Sequence, residues 1–204
     1  MAIVAFPAIS APQEVTWQLR AQTQQHVSPF NGSTQTLAMP GGVWTSTLTW
    51  RAMGEQDRRV MEGWLAGLRG AAGRFTLRPY HAPRRATGTG TPVMNGSIQT
   101  GTSISIKGWA ASAQAFKAGD FLSYLDDNGR SLLHIVTADS NATGGGFASV
   151  SISPPVRRIV PDGRAIEIAA PVGVFRLATD DEGQMVTVFP PVGAVTINVV
   201  EALV

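Results

Sequence analysis

Cysteine is absent from all 204 residues, so neither disulfides nor thiolate metal sites can brace the fold. Packing, or association between copies, has to hold it together. Charge is also scarce, at 15% of residues, and its signs nearly cancel: 16 Lys and Arg against 14 Asp and Glu leave a formal charge of +2. That balance offers no basic stripe for nucleic acid. No stretch approaches the roughly 20 apolar residues of a membrane span. The start, Met1-Ala-Ile-Val-Ala-Phe6, has no basic region and meets Pro7 early, so it does not read as a secretory signal. A soluble product made in the cytoplasm is expected. His26, His81 and His134 stand apart, without a second His at helical or strand spacing, which argues against a zinc site.

What is abundant is turn chemistry: 22 Gly and 13 Pro, beside 44% apolar residues, point to many short strands and little helix. From Glu14 to Thr23 the side chains of Val15, Trp17 and Leu19 alternate with polar ones, the period of a half-buried strand. Ser28-Pro-Phe-Asn-Gly32 then predicts a sharp turn, because Pro restricts the residue before it and Asn-Gly accepts positive φ. After Pro40-Gly-Gly42 the run Val43 to Arg51 places Trp44, Ser46, Leu48 and Trp50 on one face of a long strand. One segment alone has helical period. Glu55 to Arg69 carries Val60, Met61, Trp64, Leu65 and Leu68 on one face, with Gly54 as N-cap, Glu55 and Asp57 in the first turn, and Arg69-Gly70 closing it. Gly63 and Gly67 would leave a shallow strip for a neighbouring backbone.

Phe75 and Leu77 mark another short strand, after which His81 to Gly90 loses all periodicity and reads as a domain junction. Five strands follow: Ser103 to Lys107, Phe121 to Leu125, Leu132 to Thr137, Ala148 to Ile152, and Ala165 to Ile168. So dense a set predicts a small barrel, with Asp126-Asp-Asn-Gly129 turning a hairpin inside it. Val174 to Leu177, Met185 to Phe189 and Ala194 to Val200 are β-rich runs that return the chain to the first domain's sheet.

Candidate chemistry thins out on inspection. No Gly-x-Ser-x-Gly nucleophile elbow occurs, and Ser131 and His134, near Asp139, would point to opposite faces of a strand. Asp126-Asp127-Asn128 lacks the remaining ligands of an EF-hand loop, so a turn is the simpler reading. Gly88-Thr-Gly-Thr-Pro92 leads into more β and reads as a linker. The doublets Arg58-Arg59, Arg84-Arg85 and Arg157-Arg158 are too scattered for a phosphate-binding face and read as solvated or paired. Of the five tryptophans, Trp17, Trp44, Trp50 and Trp64 fall on core-facing positions, which leaves Trp109 as the aromatic for a glycan contact. No catalytic, metal or cofactor-binding set emerges, and no enzyme is expected.

An ordered string of motifs does emerge. Ser28-Pro29-Phe30-Asn31-Gly32 with Gln35, then Gly41-Gly42-x-Trp44, a helix, Arg69-Gly70-x-x-Gly73-x-Phe75-x-Leu77, Gly119-Asp120 and Gly173-Val-Phe-Arg-Leu177 together resemble the distal tail protein family of long-tailed phages and prophages. The stretch from Gly96 to Trp109, followed by Lys117 to Asp120, is similar to the insertion such proteins carry. The chain has Asn31 where the family is associated with Thr, and Met185 where an aromatic is more usual. The resemblance implies a β-sandwich ring domain with one flanking helix, discontinuous over residues 1–86 and 174–204, interrupted by an OB-like or small β-barrel domain over 87–173. It further implies a homohexameric ring in the virion, joining the tail tube protein to a baseplate or tip hub protein. A channel through the ring would pass DNA and the tape measure protein. The alternative function is a tail-tip module that binds host-surface carbohydrate.

Overall fold

Strand β3 (Thr34–Met53) shows why the first domain folds as it does: Trp44, Ser46, Leu48 and Trp50 are buried while the residues between them are only partly so. An alternating strand needs a covering layer on one side only. The computed structural model describes residues 3–80, 82–188 and 192–203. His81 and the Phe189-Pro190-Pro191 break between the C-terminal runs lie outside the described residues. Around β3 assemble β1 (Ile3–Ala5), β2 (Glu14–Val27), β4 (Arg74–Leu77), β13 (Gly173–Leu177), β14 (Val186–Val188) and β15 (Val192–Glu201). They form one seven-stranded sheet in the order β1-β4-β13-β15-β3-β2, with β14 paired to β15.

The mainly β architecture, with one α-helix among the described residues, is as the sequence predicts. The strands of the first domain pair into a single sheet, and the second layer is mixed. Helix α1 (Glu55–Leu68) lays Met61 and Leu68 on the sheet, Phe6 and Ile9 of the amino-terminal segment pack beside it, and Phe121 and Leu133 come from the inserted barrel. Val60, expected on the apolar stripe, is exposed, and nothing approaches Gly63 or Gly67, so no backbone uses that strip. The helix ends one residue early, at Leu68, because Arg69 itself takes the left-handed conformation at φ 56.

Six strands form the inserted sheet: β5 (Gly90–Met94), β6 (Gly101–Trp109), β8 (Phe121–Leu125), β9 (Ser131–Val136), β11 (Phe147–Val156) and β12 (Ile166–Glu167). Their order is β12-β8-β9-β11-β6-β5, and a bridge from Val93 to Ala165 brings the two ends together into a nearly closed barrel. An OB barrel has five strands; this one has six. The small strands β7 (Gln114–Phe116) and β10 (Ser140–Asn141) pair beside it. Gly90 to Pro92, read as linker, belong to β5. The predicted hairpin from Phe121 is present, turned at Asp126–Gly129 with Gly129 at φ 74. Among the described residues no helix is long and apolar enough to cross a membrane.

Strands β8 and β9 are covered on both sides. Leu122, Tyr124, Leu132 and Val136 point into the barrel, while Phe121 and Leu133 point out into the core of the first sheet. Trp44 meets this wall directly: its ring lies 5.6 Å from that of Phe121, and its Nε1 donates to the Leu133 carbonyl at 3.0 Å.

Asp120, flagged within the motif string, fastens the connection between the domains. Its buried carboxylate accepts the backbone N–H groups of Arg85 (2.7 Å), Ala86 (3.2 Å) and Lys117 (2.9 Å). Asp120→Ala strands three donors at a buried site and is expected to cost at least about 3 kcal/mol. The measurement is the urea midpoint at constant m-value, and a loss below about 1 kcal/mol would contradict this account.

Candidate functional site

Beyond the body of the sheet, β2 and β3 continue as a two-stranded ribbon. The pairs Gln22–Met39 to Val27–Thr34 extend the ladder, and every residue from Ala21 to Val27 and from Thr34 to Met39 is exposed. The expected strand end at Thr23 and the break at Pro40-Gly-Gly42 are both corrected. The chain bulges there instead, with Pro40, Gly41 and Gly42 opposing the single residue Ala21 between the Arg20–Val43 and Gln22–Met39 pairs. Ladder hydrogen bonds persist past a bulge, so the ribbon survives a sequence that reads as punctuation.

The predicted turn closes the ribbon. Ser28 N–H donates to the Ser33 carbonyl, Gly32 N–H to the Ser28 carbonyl, and Asn31 Oδ1 accepts from Ser33 N–H at 3.0 Å. Gly32 sits at φ 68, which a side chain rarely adopts. Phe30 at the tip is 97% exposed, and Val27, Leu37 and Met39 are also open to solvent. No Asp, Glu, Lys or Arg occurs from Ala21 to Trp50. A two-stranded ribbon alone in water is marginal, and monomeric proteins guard such edges with charge. This one has a bare edge, no charge and an apolar tip.

At its base the ribbon meets a buried polar seam. Arg157, just beyond β11, donates through Nη1 to Glu201 Oε2 at 3.0 Å and through Nη2 to the Gly42 carbonyl. Glu201 Oε2 also accepts from Trp44 N–H at 3.1 Å. Burial pushes the Glu201 carboxyl above its usual range, while the Arg157 cation pulls it back. Nearby, Asp126 accepts from the backbone N–H groups of Asn128 and Arg130 and faces Arg158 at 3.6 Å. These groups border a cavity of about 290 Å³ between barrel and sheet.

The motif residues therefore separate. Ser28, Pro29, Phe30, Gly32 and Gln35 gather at the outer half of the ribbon, Gln35 opposite His26. Trp44 lies at its base, inside the protein. Arg69, Gly70, Gly73 and Phe75 shape the helix-to-β4 connection, where a Cβ on Gly70 would strike Asp180 Oδ1 at 2.4 Å and one on Gly73 the Leu68 carbonyl at 2.6 Å. Phe75 is fully buried. Trp109 is a correction: it is 5% exposed, edge-on to Phe116 and beneath Arg84, because β6 turns it into the barrel. It offers no ring face to a sugar.

Other candidates are engaged elsewhere. Ser131 Oγ donates to the Val172 carbonyl at 2.6 Å, His134 Nδ1 lies 2.8 Å from the Pro154 carbonyl, and Asp139 accepts from Ala118 N–H, so the three do not meet. All six arginines of the doublets find carboxylates or carbonyls. Among the described residues no three His, Asp or Glu converge on a metal position. Sequence reading missed Arg157 and Glu201. The signal was present: Val195, Ile197, Val199 and Glu201 keep one period, placing a carboxylate on a buried face.

Fold and site together define a mainly β protein in which a barrel is built against a sheet that carries a projecting uncharged ribbon. No protein-family model matches the chain, and no curated protein matches its sequence.

His134 makes the seam sensitive to acid. It stacks on Tyr124 at 5.0 Å and must donate from Nδ1, since its partner is a carbonyl; Nε2 is buried without a partner. Burial drives its pKa from 6.5 down to about 4, with the Pro154 carbonyl opposing and Arg157 reinforcing that direction. A depressed folded-state pKa means the unfolded chain takes the proton first. The stabilisation is therefore full above about pH 6.5 and lost as pH falls towards about 4, a change of about 3 kcal/mol. Glu201 contributes in the opposite sense, so the comparison of His134→Phe with the parent isolates the histidine. The variant's urea stability should lack this component of the slope between pH 6.5 and 4, and identical slopes would refute the assignment.

Proposed function

We propose that the chain is a structural subunit of the tail tip of a tailed phage, forming a closed ring with copies of itself, and that it is not an enzyme. The observation that carries this reading is the charge-free ribbon from Ala21 to Gly42, with its bare edge and its apolar tip at Phe30. In a ring each subunit shows its neighbours two different faces, and a projecting β-ribbon on one side is suited to a heterologous contact that closes. The turn at the ribbon's tip is the Ser28–Gly32 element of the motif string, so the resemblance to distal tail proteins and the physical reading concern the same residues. In this reading the ring is homohexameric and lies between the tail tube protein and the baseplate or tip hub protein. DNA and the tape measure protein pass through it without sequence-specific binding. Trp109, the motive for a carbohydrate-binding role, lies in the barrel interior and lends that alternative no support.

Native mass spectrometry and negative-stain imaging of the purified protein should show closed rings, and mass spectrometry of tails should detect the chain. A protein that stays strictly monomeric at high concentration and is missing from tails would overturn the proposal. Leu37→Lys sets a charge on an exposed ribbon position. It should shift the ring to monomer, while the far-UV circular dichroism and urea midpoint stay within about 0.5 kcal/mol of the parent.

A further inference from the structure

The ribbon leaves the sheet at a pair of glycines, with the Gln22 side chain lying against Gly41. Gly41 and Gly42 form the bulge, and the nearest atom that a Cβ on Gly42 would meet is the Arg20 carbonyl at 3.4 Å. Two-stranded ribbons are more strongly twisted than wider sheets, and a bulge bends its strand and adds local twist, so the base of the ribbon is where its direction is set. One guanidinium reaches this point from the barrel. Arg157 spends one arm of its fork on the Gly42 carbonyl and the other on Glu201, whose carboxylate also holds Trp44 N–H, two residues further along β3. Its side chain is 13% exposed.

We infer that Arg157 is the residue through which the barrel sets the direction in which the ribbon leaves the sheet. The fork joins three elements: the end of β11, the last residue of β15, and the bulge on β3. A planar guanidinium making two divergent bonds fixes orientation as well as distance, which an ammonium cannot do. The inserted barrel thereby becomes part of the aiming of the assembly arm and not merely an appendage on the outer surface. The inference rests on the ring reading for its consequence in assembly, but the tie itself belongs to the single chain.

A cysteine-free chain permits a clean test. Spin labels are placed at Asn31→Cys on the ribbon tip and Thr102→Cys on the barrel, both exposed, and in a second protein at Thr102→Cys and Gln56→Cys on the helix. The Leu37→Lys background keeps arms from being held by neighbours. Pulsed electron resonance on the parent should give narrow distance distributions for both pairs. Arg157→Ala should broaden the tip-to-barrel distribution at least about twofold while the helix-to-barrel distribution stays narrow. Arg157→Lys, which retains the charge for Glu201 without the fork, should fall between them, and it carries the test if the alanine variant does not fold. An unchanged tip-to-barrel distribution would overturn the inference. So would equal broadening of both pairs, which would make Arg157 a general clasp between the two domains. Should the parent form no ring, the ring reading fails while this measurement still decides the role of Arg157.

Discussion

The hairpin of β8 and β9 is covered on both faces, and most of the structure depends on that constraint. One face fills the barrel through Leu122, Tyr124, Leu132 and Val136, and the other gives Phe121 and Leu133 to the sheet. Each fully buried side chain of this size stabilises by about 1.5–3 kcal/mol. Neither domain can be peeled away without exposing that wall, and the sheet would lose part of its second layer. Helix, amino-terminal segment and barrel wall together cover the buried face of the seven-stranded sheet.

Where the apolar period had one partner, the sequence could be read directly. The single helix, the alternation along β3, and the hairpin turned by Asp126–Gly129 each follow from residues close together in the chain. The seam was less legible because its partners are distant. Arg157 reads as one of a scattered doublet until Glu201, 44 residues away, is seen beside it. Trp109 misled for a related reason: a lone aromatic near Gly108 in a short strand carries no sign of which face the barrel will close over. The ribbon was hidden by Pro40-Gly41-Gly42, which looks like an end and is a bulge.

Physical form and motif resemblance bear on different halves of the functional reading. The uncharged ribbon from Ala21 to Gly42 argues for a partner without saying which, since an edge so unguarded is an aggregation hazard unless something covers it. The ordered motifs argue for a place, the tail tip, without saying how copies join. That both converge on Ser28–Gly32 gives the proposal its coherence, because a turn with Phe30 at its apex has no apparent role within the isolated chain.

The character of the seam also has a logic. A buried Arg–Glu pair contributes little to stability compared with apolar residues of the same size, because desolvation offsets most of the attraction. What it supplies is direction. An apolar plug at Arg157 could fill the same space yet leave the Gly42 carbonyl free to rotate, whereas a fork held by Glu201 on one side donates to that carbonyl in one orientation. In a ring, a small angular error at the base of a long ribbon becomes a large displacement at its tip, so orientation is the property that closure demands. Placing a costly charged pair where the ribbon departs, rather than deeper in either core, is consistent with that demand.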